Sequence, residues 1–196
     1  MSKEYIKNFY NRDRLALTSI SKCGYCSKQQ LNTFIADKRI TNYIRDGLVT
    51  KEVLNKNNGQ QISGYKLTNQ GRKLIEKEWG VKNHYIAQSV NHDLGISNKY
   101  FSLSDSERET WKTETEIRNE FEERLDELRN SDFERYNNIN KMVEEKLISV
   151  PDCAYIENNI EVYLEIITNS YGQAEIEAKE RFIEIMGIKT YETERA

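Results

Sequence analysis

Ser27-Lys-Gln-Gln-Leu31, Asp37-Lys-Arg-Ile-Thr-Asn-Tyr-Ile-Arg-Asp-Gly47, Leu48-Val-Thr-Lys-Glu-Val-Leu54 and, beyond Asn57-Asn-Gly59, Ile62 to Leu67 make up the stretch on which the reading of this chain turns. Ser27 is a helix N-cap residue, because its side-chain oxygen can accept a main-chain N–H of the first turn. Leu31, Phe34 and Ile35 then share one face of a short helix. Ile40, Ile44 and Leu48 recur at four-residue spacing, which predicts the buried stripe of a second helix. Gly47 ends that helix, since glycine takes the left-handed closing conformation without strain. Apolar and polar residues alternate on both sides of Asn58-Gly59, a strong hairpin signal.

Helix, helix, two-stranded hairpin is the order of a winged helix-turn-helix. The polar face of the second helix carries Lys38, Arg39, Thr41, Asn42 and Arg45. Arg and Asn can make paired hydrogen bonds to guanine and adenine edges, and Lys and Thr can hold phosphates. Lys28 at the start of the first helix, and Lys56, Asn57 and Asn58 at the hairpin tip, would reach the neighbouring backbone. These nine residues form the expected contact set for double-stranded DNA. A solvated helix face and a protein-interaction module are the alternative readings of the same pattern.

Charge divides the chain in the same sense. Residues 1–80 carry 15 Lys and Arg against 7 Asp and Glu, a net +8, and the remainder carries 14 against 25, a net −11. The whole-chain charge of −3 hides this asymmetry. A basic front suits phosphate attraction, and an acidic back implies a different partner. We therefore expect a DNA-binding domain over 1–80 and an acidic α/β domain over 81–196, within an α+β fold. No run approaches the roughly 18 apolar residues that span a bilayer, and the start of the chain lacks an apolar leader, so a cytoplasmic protein without membrane contact is expected.

Tyr5 to Ser21 has helical spacing of apolar residues, and Thr68 caps a further helix to about Trp79, with Gly80 as the expected domain end. The pattern Tyr65-x-Leu-Thr-x-x-Gly71 is common at this point in bacterial regulators. Cys23-Gly-Tyr-Cys26 has the spacing of a redox motif or half a zinc site. The chain holds no second such pair, so a packing or turn role is expected, with a zinc shared across a dimer as the alternative. His84 and His92 read as surface or structural residues. Ser104-Asp-Ser-Glu107 has capping-box spacing and predicts the start of a long helix. Phe133 to Leu147 continues a helical stripe, Val150 to Ile156 and Ile160 to Ile167 read as strands about a turn at Glu157-Asn-Asn159, and Ser170 to Met186 as an amphipathic helix. The last ten residues read as frayed or as a short edge element.

Pro151-Asp152, thirteen residues before Glu165 on the adjacent strand, resembles the core of the PD-(D/E)xK nuclease fold. The resemblance implies that Asp152 and Glu165 hold a divalent ion, Mg²⁺ or Mn²⁺, which activates water and neutralises developing phosphate charge. It also implies a helix glutamate, for which Glu116 is the match. The lysine expected two residues after Glu165 is Ile167, and Lys179 on the following helix could supply a displaced ammonium.

The order of a winged helix, His92-Asp-Leu94, Trp111 with Glu116, Val150-Pro-Asp152 and Tyr163-Leu-Glu165 followed by a helix is similar to the replication-relaxation family, which includes the MobC-type plasmid relaxases. That likeness implies a role in plasmid or mobile-element DNA processing. Three readings follow: a sequence-specific DNA-binding protein of a plasmid, phage or integrative element, working as a homodimer; a metal-dependent endonuclease or relaxase; and an interaction protein, such as a phage-encoded inhibitor, whose acidic half takes a protein partner.

Overall fold

Residue 13 is an aspartate on a helix whose other inward positions are Ala16, Leu17 and Ile20, and all four are buried. A carboxylate taken out of water must be paired and hydrogen-bonded, and that requirement organises the first part of the fold. The computed structural model describes residues 5–56, 59–169 and 171–196. Helix α1 (Asn11–Cys23) carries Asp13 in its first turn. The Asp13 carboxylate accepts from the Tyr10 main-chain N–H at 2.7 Å and the Tyr43 hydroxyl at 2.5 Å. It also accepts from Arg39 through Nε at 2.7 Å and Nη2 at 2.9 Å. Burial pushes its pKa up, but Arg39, Tyr43 and Tyr10 together hold it below the usual carboxylate range.

Helix α2 (Lys28–Leu31) starts as its sequence predicts. Ser27 Oγ accepts from the Gln30 N–H at 3.2 Å, and the Gln30 side chain accepts from the Ser27 N–H at 2.7 Å, a reciprocal capping box. Helix α3 (Asp37–Arg45) departs from the predicted stripe. Ile40 and Tyr43 point inward, whereas Ile44 is 40% exposed. The helix is only nine residues long, and Gly47 turns the chain at φ +68, so Leu48 lies past the helix, in the turn that leads into the hairpin, and the inward direction follows Tyr43, anchored on Asp13.

Strands β1 (Val49–Asn55) and β2 (Gln61–Leu67) pair antiparallel, from Val49 opposite Leu67 to Asn55 opposite Gln61. Cys26 adds a third segment to this hairpin, donating its N–H to the Tyr65 carbonyl at 3.1 Å and accepting from the Tyr65 N–H at 2.8 Å. The CxxC spacing is thus that of a tight turn between α1 and the sheet, with both thiols buried. Gly24 sits there at φ +81, and a Cβ on it would lie 2.3 Å from the Asp93 carboxylate.

Helix α4 (Asn69–Trp79) explains the Tyr65-x-Leu-Thr-x-x-Gly71 pattern. Thr68 Oγ1 accepts from the Gly71 N–H at 3.0 Å and donates to the Gly47 carbonyl at 2.5 Å. A Cβ on Gly71 would meet the Leu48 carbonyl oxygen at 2.1 Å. The helix passes so close to the start of β1 that only glycine fits.

Helix α5 (Val90–Ser102) packs on α1 and on both hairpin strands. The described chain accordingly divides between Ser104 and Asp105, not at the expected boundary after Gly80. Gly80 ends a helix without ending a domain, because Val90 and Ile96 are buried and Gln30 binds Ser97 at 3.0 Å and Asn98 at 2.9 Å. Both histidines sit in polar pairs: His92 Nδ1 with Asp93 at 3.0 Å, and His84 Nδ1 with Ser21 Oγ at 2.6 Å.

In the second unit, α6 (Asp105–Glu109) is short and the expected long helix begins later. Strand β3 (Lys112–Thr113) intervenes, pairing with Ala154 and Cys153. Trp111 is buried and stacked on Tyr155 at 5.9 Å. That pairing and stacking displace the predicted start, and the capping box is formed by Thr113 and Glu116 at the head of α7 (Glu114–Ser131). Helix α8 (Phe133–Glu144) follows, capped by Asp132. Strands β4 (Cys153–Glu157) and β5 (Ile160–Ile167) join through Asn158 and Asn159, both at positive φ, as a two-residue hairpin requires. Helix α9 (Gln173–Met186) then leads to β6 (Tyr191–Arg195), parallel to β5 at the sheet edge. The sheet order is β3-β4-β5-β6, and Ile117, Phe121, Ala154, Tyr163 and Phe182 form its core with the helices.

The described fold is α+β, and none of its helices is long and apolar enough to cross a membrane. The clash at Gly71 makes a direct prediction. Gly71→Ala should lower the unfolding free energy by about 1–3 kcal/mol, the usual range for overpacking, measured by urea denaturation. A change near zero would mean that α4 and β1 are not in this close contact.

Candidate nucleic-acid interface and a buried acidic cluster

Helix α3 presents Asp37, Lys38, Thr41, Ile44 and Arg45 on its exposed side, with Asn42 half-buried at its margin. A recess lined by Arg12, Ile35, Ala36, Lys38, Arg39 and Asn42 opens at its first turn. A larger cleft at its other end is lined by Arg45, Gly47, Gln70, Lys73 and Lys77 among others. Cations therefore flank α3 at both ends. Residues 1–104 hold 17 Lys and Arg against 8 Asp and Glu, and residues 105–195 hold 12 against 24.

Arg39 is not part of this exposed set. Its guanidinium makes the two bonds to Asp13 and a third, at 2.7 Å, to the Asn8 carbonyl, and its side chain is 18% exposed. The predicted base reader is a structural residue, because a buried carboxylate one helix away competes for it at short range. Lys28 is exposed but ion-paired with Asp37 at 2.5 Å. Arg45 lies over the Tyr5 ring at 5.1 Å, a contact that orients it without removing its charge. On the hairpin, Lys66 pairs with Glu52, which also accepts from the Tyr25 hydroxyl. Lys56 is half-buried at the hairpin end, and Asn57 and Asn58 lie outside the described residues. Arg12, Lys73 and Lys77 escaped sequence reading: each lies on a helix other than α3, and no local spacing ties it to that helix.

In the second unit the structure does bring together three residues that lie far apart in sequence. The β4–β5 register places Asp152 beside Glu165: the Asp152 N–H donates to Glu165 Oε2 at 3.1 Å, and the Ile166 N–H donates to Asp152 Oδ2 at 2.8 Å. Lys179 reaches in from α9, with Nζ 2.8 Å from Glu165 Oε2, and donates to the Val150 carbonyl. Tyr171 donates its hydroxyl to the other Glu165 oxygen. Both carboxylates are 1% exposed.

Burial pushes Glu165 up to about 7, the Asp152 charge adds to the rise, and Lys179 and Tyr171 oppose it. Burial and the two carboxylates push the Tyr191 hydroxyl up in turn. Glu116, the third expected acid, is elsewhere employed: its carboxylate accepts from the Thr113 N–H at 2.8 Å and the Thr113 hydroxyl at 3.0 Å.

This set does not fit a divalent cation. No group of three His, Cys, Asp or Glu side chains gathers among the described residues in a way that could hold one. An ammonium already lies on the Glu165 oxygen that a metal would need. Each carboxylate also accepts a main-chain N–H, and neither is open to solvent. The arrangement instead neutralises itself and ties the β4–β5 hairpin to α9.

No family model matches the chain, and comparison with curated proteins and with solved structures likewise gave no match.

The raised Glu165 carboxyl sets a pH dependence. The folded unit keeps this proton up to about pH 7, whereas the unfolded chain releases it near 4.5. Between those values the folded state binds the extra proton, so its contribution to stability is full at the acidic end and is lost as pH rises. In a Trp79→Phe background only Trp111 reports, and it lies in the second unit. Its urea midpoint should fall between about pH 5 and about pH 7.5, and Glu165→Gln should flatten that fall. A midpoint that rises over this range would show the carboxyl to be ionised throughout.

Proposed function

We propose that the N-terminal unit is a winged helix-turn-helix that binds double-stranded DNA, with α3 entering the major groove and the β1–β2 hairpin as its wing. The observation that carries this reading is the cationic surround of α3: Lys38 and Arg12 at one end, Arg45, Lys73 and Lys77 at the other. A surface of that kind attracts a phosphate backbone and releases its counterions. The order of elements, three helices and then a hairpin followed by a helix, supports the same reading. In it, Arg39 holds α3 against α1, and the phosphate contacts fall to Lys38, Arg45 and their neighbours.

The second unit carries twice as many acidic as basic residues and would be repelled by a duplex. Its role in this reading is to join a second copy or a protein partner. Together the two units describe a DNA-binding protein of a plasmid, phage or integrative element, acting in DNA processing or its regulation, the setting that the order of sequence motifs implies.

Binding of a duplex measured by fluorescence anisotropy across a salt series tests the interface. The logarithm of affinity should fall linearly with the logarithm of salt concentration. Lys38→Ala with Arg45→Ala should reduce that slope by about two, because each phosphate left without its cation takes about 0.9 from it. Affinity that is insensitive to salt, or a slope unchanged in the double variant, would end the proposal.

The convergence of Asp152, Glu165 and Lys179 favours one competing reading, a DNA-nicking enzyme, and it has its own test. Supercoiled plasmid incubated with the protein and Mn²⁺ should remain supercoiled, as a self-neutralised buried cluster requires. Nicking that disappears in Asp152→Ala would establish the enzyme in its place.

A further inference from the structure

The exposed side of α3 is not uniformly polar. Ile44 lies on it, 40% exposed, although Ile40 and Tyr43 beside it are buried. Ile44 lies outside the core, and a β-branched residue is a poorer helix former than lysine, glutamine or alanine at a surface position. Thr41, three residues before it, is exposed too. The Thr41 hydroxyl donates to the Asp37 carbonyl at 3.1 Å, so the side chain meets a partner with its methyl group and an acceptor oxygen. Residues three apart on a helix are surface neighbours, at about 5–6 Å between Cβ atoms. The face thus holds Ile44 and Thr41 side by side, with Lys38 and Arg45 along one edge and Asp37, paired with Lys28 at 2.5 Å, one turn before Thr41. Arg39, in the first turn of α3, is withdrawn onto Asp13.

The apolar feature that B-DNA shows in its major groove is the C5-methyl group of thymine. An apolar pair edged by cations fits that groove better than it fits an apolar protein surface, since Lys38 and Arg45 then meet phosphates. We infer that Ile44, together with Thr41, is the specificity-determining contact of this helix. It packs on thymine methyl groups, so the preferred site carries thymine where α3 crosses the groove and does not depend on a guanine read by Arg39. The inference rests on the DNA-binding reading above.

The test uses the full-length protein to select its preferred duplex from a randomised pool. Each thymine of that duplex is then replaced in turn by deoxyuridine, which removes the methyl group and keeps the base pair. At least one replacement should weaken binding by about fourfold, the value of one buried methyl group. In Ile44→Ala that same replacement should have no effect. Ile44→Val, which keeps a branched apolar side chain, should retain it. Thermal melts should show both variants fully folded at the temperature of the binding measurement, because Ile44 lies outside the core. A selected site insensitive to deoxyuridine at every thymine overturns the inference and leaves DNA binding standing. So does a deoxyuridine effect that persists undiminished in Ile44→Ala. If no duplex is bound with a salt-dependent affinity, the DNA reading falls and this inference with it.

Discussion

A carboxylate sealed inside the N-terminal unit decides how its helices are oriented. Asp13 has no access to water, so an unpaired charge there would carry a desolvation penalty of several kcal/mol. Its four donors come from three places in the chain: the Tyr10 amide, Tyr43 and two nitrogens of Arg39. Because Tyr43 and Arg39 lie one turn apart on α3, satisfying Asp13 fixes both the position of that helix against α1 and its rotation about its own axis. The rotation selects which side chains face outward. Lys38, Thr41, Ile44 and Arg45 do, and Arg39 does not. The segment before α1 is bound to the same helix at both ends. Asn8 accepts from Arg39, and the Tyr5 and Ile6 amides donate to Asp46 just past the last turn of α3.

The acidic unit solves a similar problem by different means. Asp152 and Glu165 approach each other on neighbouring strands, a like-charge pair that burial alone would exclude. Lys179 supplies one compensating charge, two main-chain amides supply hydrogen bonds, and the raised Glu165 carboxyl supplies the rest by keeping its proton at mildly acidic pH. The carboxylates are thereby used to join a hairpin to a helix. The geometry that groups them is the geometry expected of a metal site, and the ammonium lying on Glu165 is what distinguishes the two.

Features of this fold that depend on near neighbours were legible in the sequence. The Ser27 cap, the turn at Gly47, the Thr68 cap with Gly71 and the Asn158-Asn159 hairpin all follow from backbone groups satisfied within a few residues. The proximity of Asp152, Glu165 and Lys179 was legible too, since a hairpin register and one following helix bring them together. Features that depend on a distant competitor were not. Four-residue spacing put Ile44 on the inward face, and Asp13, thirty residues away from Tyr43, turns Tyr43 there instead. Ser104 precedes only the short α6, and the pairing of β3 with β4 delays the long helix to Thr113.

By itself the sequence determined the order of elements as far as α4, the caps and turns that bound them, and the separation of a basic first part from an acidic second one. These are local or additive properties, carried by single residues and their immediate spacing. The tertiary structure alone decided that α5 completes the first unit, that Arg39 supports the proposed reading helix from behind, and that Lys179 takes the place a metal would need. Each of those outcomes turns on the burial of a charged or apolar group against a partner remote in sequence. Desolvation there outweighs any local preference.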